Sequence, residues 1–177
     1  MLIRRLISSD AAAYRAFMLE GYALHPVAFT ASVAERDAFP MTWWEGRVKD
    51  GDNAEEIVVG AFDEDRLVGV AGLQFEQRPK TRHKALLYGM YVHAEYTNQG
   101  LGQRLVAAAL DEARQRSGVR IVTLTVTQGN REAEALYMKC GFASFGVEPF
   151  ALALDDGFAS KVHMWLDLQA PSPAHDA

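Results

Sequence analysis

The sequence predicts an α/β (α+β) fold, a β-sheet flanked by helices in the order βααβββαβαββ. Three observations carry this reading. A strand-like apolar run from Ala85 to Val92 passes through a turn bearing two glycines into the clearest helical pattern of the chain, Leu101 to Ser117. Apolar and polar residues then alternate from Val119 to Thr127, the period of a strand with one buried face. A shorter helical pattern, Asn130 to Lys139, follows and is closed by Gly141.

The remaining elements follow in chain order. Leu2 to Ile7 alternates loosely and predicts a first strand. Ser8, Ser9 and Asp10 can cap a helix, and Ala11 to Leu24 places Tyr14, Phe17, Met18 and Tyr22 on one helical face. His25-Pro26 breaks that helix, because a residue before proline is pushed out of the α region. Val27 to Phe39 predicts irregular or partly helical chain, and Pro40 opens a short aromatic helix with Trp43 and Trp44 that fades near Lys49. After the Gly51-Asp52-Asn53 turn, Ile57 to Phe62 and Leu67 to Phe75 predict two strands joined through Asp63-Glu64-Asp65. Arg78-Pro79-Lys80 marks the loop before the Ala85–Val92 strand. In the long helix Leu101, Leu105, Ala108, Ala109 and Ala113 share a face, and Gly118 is expected to stop it. Phe142 to Leu154 and Lys161 to Leu168 predict two last strands around Asp155-Asp156-Gly157. Residues 1–168 are expected to form a single domain, with 169–177, carrying Pro171 and Pro173, a flexible tail.

Composition narrows the function. Of 177 residues, 49% are hydrophobic and 23% charged, as in an ordinary globular chain rather than a disordered one. Eighteen basic and 23 acidic residues leave a net charge of −5, which supplies no basic field for nucleic acid or an anionic membrane. The start, Met-Leu-Ile-Arg-Arg-Leu-Ile, lacks the apolar core and cleavage site of a signal peptide. No apolar run is long enough to span a bilayer. One cysteine, Cys140, excludes an internal disulfide framework, and a reduced, cytoplasmic setting is expected. The five histidines have no metal-ligand spacing, so no metal is expected.

The glycine turn is the leading clue to function. A strand that turns through Gly100-Leu101-Gly102 into a helix N-terminus offers several free backbone N–H groups and the positive end of the helix dipole. That is a site for phosphate or pyrophosphate, and the glycines leave room for close approach. No lysine follows Gly102 as in a Walker loop, and Leu105 stands where a dinucleotide fingerprint needs its third glycine. Thr97-Asn98-Gln99-Gly100-Leu101-Gly102 instead resembles the acyl-CoA loop of the GNAT acetyltransferase superfamily, Arg/Gln-x-x-Gly-x-Gly/Ala. Both glycines match, and Thr97 departs from the usual Arg or Gln. Asn130 through Phe142, with Ala-Leu-Tyr and a closing Gly-Phe, resembles the second signature of that family. The element order also agrees, over residues 1–168.

The resemblance implies a mixed, mostly antiparallel sheet between helices, and direct acetyl transfer from acetyl-CoA to a primary amine in a ternary complex. It implies phosphate contacts from the N–H groups of Asn98, Gln99, Gly100, Leu101, Gly102 and Gln103. It implies pantetheine pairing along Met90, Tyr91 and Val92, on a strand that Gly89 suits to a bulge. Asn130 and Tyr137 stand seven residues apart, close to two helical turns, and so share a side. Asn130 reads as an N-cap and a cofactor contact. Tyr137 reads as the catalytic residue, because a phenol beside the thioester sulfur can stabilise the departing thiolate.

A general base is not assigned: no carboxylate lies on the strand before the loop, Tyr88 stands in that region, and Glu76, His83, His93 and Glu148 are candidates elsewhere. Tyr22, His25, Phe29, Trp43 and Trp44 fall where this fold builds its acceptor wall, although aromatics at helical spacing more often belong to the core. The acceptor is a small-molecule or peptide amine, and a homodimer is left open by the family. Two rival readings are transfer of a longer acyl group and a non-catalytic acyl-CoA sensor or scaffold.

Overall fold

The computed structural model describes residues 1–170, so the tail reading for 171–177 lies outside the described residues. Seven strands form one sheet: β1 (Leu2–Arg5), β2 (Glu56–Asp63), β3 (Arg66–Phe75), β4 (Lys84–Val92), β5 (Ile121–Thr127), β6 (Ala143–Leu154) and β7 (Gly157–Asp167). Their order across the sheet is β1-β2-β3-β4-β5-β7-β6. Every neighbouring pair is antiparallel except β4 and β5. A parallel pair needs a crossover, and α4 (Leu101–Gln115) supplies it.

Helices cover both faces. On one side α4 presents Leu101, Leu105, Val106, Ala109, Leu110 and Ala113 to a core with Leu87, Val122, Leu124 and Met164. Tyr137 of α5 (Arg131–Lys139) joins the same core. Each fully buried leucine there stabilises the fold by about 2 kcal/mol. On the other side α1 (Ala11–Leu24) packs Tyr14, Phe17, Met18 and Tyr22 against Val58, Val70 and Tyr91, the periodic face its sequence predicts. Trp44 of α3 (Met41–Arg47) completes this second core, edge-on to Tyr14 with ring centroids 5.5 Å apart. The stretch from Val27 to Phe39 is partly helical, with α2 at Val33–Asp37.

Several boundaries differ from the sequence expectation, and three of the differences have a visible cause. The first strand stops at Arg5, because Leu6 turns into the second core and a 3-10 turn follows at Ser8–Asp10. Helix α4 ends at Gln115 rather than Ser117: Arg116 is already extended and its guanidinium donates to the Ala54 carbonyl at 2.6 Å. Strand β7 begins at Gly157, since its start pairs with the end of β6.

The feature that positions the site is the divergence of β4 from β5. Their pairing runs only from Lys84↔Ile121 to Leu86↔Thr123, whereas β5 pairs with β7 along its whole length. The cause lies on β4. Gly72 pairs with Tyr88 and Val70 with Tyr91, so Ala71 faces two residues, Gly89 and Met90. Gly89 takes φ +60°, which glycine adopts without a Cβ penalty, and the extra residue bends the strand. A wedge therefore opens at the carboxyl ends of the one parallel pair, where open α/β sheets hold their ligands.

Candidate functional site

A cleft of about 690 Å³ occupies this wedge, within the usual range for small-molecule sites. Met90, Tyr91 and Val92 form its β4 wall. Thr97, Asn98, Gly100, Leu101, Gly102 and Gln103 form one end, and Asn130, Ala133, Leu136 and Tyr137 form the α5 wall. Of the residues singled out for the cofactor, all but Gln99 line the cleft. The Gln99 side chain turns back to donate to the Glu95 carbonyl at 2.8 Å.

The helix start is built to leave amides free. Asn98 sits at φ +58° and Gly100 at φ +75°, and this left-handed pair turns the chain sharply into α4. No side chain caps the helix. The N–H of Arg104 is the first to close a turn, on the Gly100 carbonyl at 3.2 Å, so the amides of Leu101, Gly102 and Gln103 precede the ladder. A Cβ on Gly102 would stand 3.1 Å from Leu136 Cδ2 and 3.1 Å from Met90 Cε. The absence of that Cβ leaves the amides open to an anion. Thr97 spends its hydroxyl locally, donating to the Ala94 carbonyl at 2.9 Å.

Asn130 caps α5, its side-chain oxygen accepting from the Ala133 N–H at 3.2 Å. Its amide NH₂ remains for a ligand in the cleft. Tyr137 is 9% exposed, and burial pushes its hydroxyl up to about 12. The hydroxyl therefore stays protonated near neutral pH, and it donates toward Met90 Sδ at 3.6 Å. A phenol whose partner is a soft thioether is well placed to hydrogen-bond a sulfur that gains charge. Cys140 is half-buried with its thiol pushed up by burial, and it does not line the cleft.

The base candidates from sequence lie elsewhere. Glu76 is exposed and accepts from the Thr81 hydroxyl at 3.1 Å. His83 serves the β4–β5 junction through its backbone carbonyl, which accepts from Arg120 and Ile121. His93 lies between Arg66 and Glu95, and Glu148 pairs with His163 at 2.8 Å. Tyr88 crosses under α3 instead, donating to Glu56 at 2.8 Å and accepting from Arg47 Nε at 3.3 Å.

The aromatic segment divides. His25, Ala28 and Phe29 line the cleft, and Tyr22 supports Phe29 from below with ring centroids 4.9 Å apart. Trp44 is core, and Trp43 lies between the guanidinium groups of Arg36 and Arg47, away from the cleft lining. Sequence reasoning did not single out Glu132, Leu136 and Lys139. Their spacing of four and three residues from Glu132 puts them on one α5 face with Asn130 as cap, a signal present in the sequence. Among the described residues no group of three or more His, Cys, Asp or Glu could hold a metal ion. No described helix is long and apolar enough to cross a membrane.

The chain is similar to known proteins in sequence and in fold. A family profile described as "Acetyltransferase (GNAT) family" matches residues 18–142, which hold the cleft walls, the glycine turn and both signature segments. Among solved structures, an acetyltransferase of the GNAT family from Streptococcus pneumoniae superposes with TM-score 0.78 at 25% identity, covering 94% of this chain and 98% of that one. The yncA structure from Salmonella typhimurium, solved with its cofactor acetyl-CoA, gives TM-score 0.78 at 20% identity over 100% and 99% of the two chains. A ribosomal-protein-alanine N-acetyltransferase from Brucella melitensis gives 0.75 at 24% identity over 94% and 99%. No curated protein sequence matches the chain significantly.

Proposed function

Because the chain belongs to the GNAT family of acetyltransferases, we propose that it transfers acetyl from acetyl-CoA directly to a primary amine, within the cleft between β4 and β5. The single observation that carries this reading is the wedge itself. It joins unsatisfied amides at the α4 N-terminus to a buried phenol beside β4, in one continuous cleft. In this reading the amides of Asn98 to Gln103 take the pyrophosphate. The diverged edge of Met90-Tyr91-Val92 pairs with the pantetheine amides as an added strand would, and Asn130 donates to the same arm.

The acetyl carbonyl then lies near Tyr91 and Val92, whose backbone N–H groups can polarise it. The amine nitrogen attacks, the C–N bond forms, and the C–S bond breaks. Tyr137 donates a hydrogen bond to the sulfur as charge builds there. With its pKa near 12, above the ordinary thiol range, the phenol holds its proton rather than surrendering it. A direct route in a ternary complex fits the lining, because no cysteine or serine among the described residues faces the cleft to form an acyl-enzyme. The acceptor is a small-molecule or peptide amine, and the working compartment is the cytoplasm.

The test is release of free thiol from acetyl-CoA against a panel of amino acids, polyamines, aryl-alkyl amines and peptide N-termini, with the acetylated product identified by mass spectrometry. Amine-dependent thiol release with an N-acetyl product is the expected result. Tight CoA binding with no product from any amine class would favour the sensor reading instead.

A further inference from the structure

The cleft is lined from both faces of the sheet. Leu101, Gly102, Asn130 and Tyr137 belong to the α4–α5 side, while His25, Ala28 and Phe29 belong to the α1 side. The wedge between β4 and β5 is therefore open from one face to the other. The segment after α1 crosses its far mouth, and two contacts pin it. The Thr127 hydroxyl, at the end of β5, donates to the Val27 carbonyl at 2.8 Å. At the end of β4, the His25 ring packs on Tyr91 with centroids 5.7 Å apart. A third tie joins Thr30 to Lys161 of β7.

His25 stands directly above a close contact between α1 and Tyr91. Gly21, one turn earlier in α1, lets the Tyr91 ring lie against the helix, since a Cβ there would come within 2.9 Å of Tyr91 Cδ1. The His25 N–H closes the last turn of α1 on the Gly21 carbonyl at 2.9 Å. Helix and Tyr91 ring thus pack closely, and the exposed imidazole lies against that ring at the mouth.

Five ionisable side chains line the cleft among the described residues: His25, Tyr91, Glu132, Tyr137 and Lys139. Tyr91 is committed to Glu20, donating at 2.9 Å, and is pushed up to about 12 mainly by burial. Tyr137 is assigned to the sulfur. Glu132 and Lys139 are exposed positions of α5, on the α4–α5 side of the wedge. Of these lining side chains, His25 alone stands on the α1 side with no hydrogen-bond partner among the described residues, and an imidazole is a side chain type that serves as a general base.

We infer that His25 accepts the first proton from the acceptor ammonium at the α1-side mouth of the cleft, which replaces the carboxylate that β4 lacks. This role rests on the transfer reading above. The proton account balances as follows. Of the three protons on R–NH₃⁺, one passes to the His25 imidazole, freeing the nitrogen lone pair. A second leaves nitrogen to solvent once the C–N bond has formed, and the thiolate released as the C–S bond breaks, held by the hydrogen bond from Tyr137, takes up a proton from solvent. The third stays as the amide N–H. The other titratable groups facing this mouth are Tyr91 with Glu20, His93 beside Glu20, and Lys161 through Thr30.

The experiment pairs two readouts on the full chain. Ring resonances of His25, followed by NMR, should shift when acetyl-CoA is added, a readout that needs no turnover. His25→Gln should then lower kcat with the best amine on the order of a hundredfold at pH 7 and abolish the acid limb of the kcat/KM profile, with CoA affinity unchanged. Added imidazole should restore part of the rate in His25→Ala. An unshifted ring, or a His25→Gln enzyme with the parent rate and acid limb, would overturn this role alone. A parent protein that turns over no amine at all would overturn the transfer reading and this role together.

Discussion

Placing a side chain at Gly102 tests the cofactor site with the least disturbance to the fold. The new Cβ meets only the flexible ends of Leu136 and Met90, each 3.1 Å away, which can yield by a few tenths of an ångström. The branched methyls of Gly102→Val should then crowd the approach to the amides of Leu101, Gly102 and Gln103. Charge-assisted hydrogen bonds contribute about 1.5–3 kcal/mol each, so losing two of them costs about 3–6 kcal/mol. At 1.4 kcal/mol per tenfold, CoA should bind roughly a hundredfold to ten-thousandfold more weakly. Gly100→Ala is the contrasting control. Its φ of +75° makes any Cβ strained, yet nothing lies within 4 Å. The cost should therefore appear as stability, about 1 kcal/mol or roughly 2–4 °C in Tm, more than as affinity. Calorimetry with CoA and thermal unfolding by circular dichroism read the two quantities separately. Parent CoA affinity in a folded Gly102→Val protein would refute the reasoning, because the amides would then not be the anchor.

Tyr137→Phe should lower kcat roughly ten- to a thousandfold while CoA binding by calorimetry stays near the parent value, since the hydroxyl acts only as charge reaches the sulfur. Gly21→Ala should destabilise the protein by about 1–3 kcal/mol in urea titration, because the Tyr91 ring it meets at 2.9 Å is held by Phe17 and His25 and cannot retreat. Asp10 accepts from Arg4 at 2.6 and 2.9 Å, and this pairing holds its carboxyl below the usual value. The pair therefore stabilises the native state above the ordinary aspartate pKa of about 4, and that contribution is lost as pH falls through the lower native value. Asp10→Asn should flatten this part of the acid-unfolding curve, followed by fluorescence between about pH 5 and pH 2.

Local signals in the chain carried most of the architecture, and long-range closure carried the rest. The helical face of Leu101, Leu105 and Ala109 and the alternation of β5 are short-period patterns, so element type and order could be read directly. The glycine turn was legible because its chemistry is backbone chemistry within six residues. The divergence of β4 was hinted at by Gly89 alone; its extent depends on where pairing with β5 stops, a property of two strands whose partner residues are 37 positions apart. The far mouth was less legible still. Thr127 and Val27 are 100 residues apart in sequence, and nothing local marks them as partners. The same applies to the aromatic segment, where periodicity could not tell Trp44, which is core, from Phe29, which faces the cleft. Base candidates near the right strand in sequence, such as His83 and His93, fall at its ends, while His25 arrives from a helix on the opposite face.

A crystal structure of the protein with CoA bound tests the central claim most directly. The account predicts pyrophosphate oxygens on the amides of Leu101, Gly102 and Gln103, the pantetheine alongside Met90 to Val92, and the sulfur within hydrogen-bond reach of the Tyr137 hydroxyl. A cofactor seated outside the β4–β5 wedge, or a sulfur far from Tyr137 with the pyrophosphate in place, would contradict it.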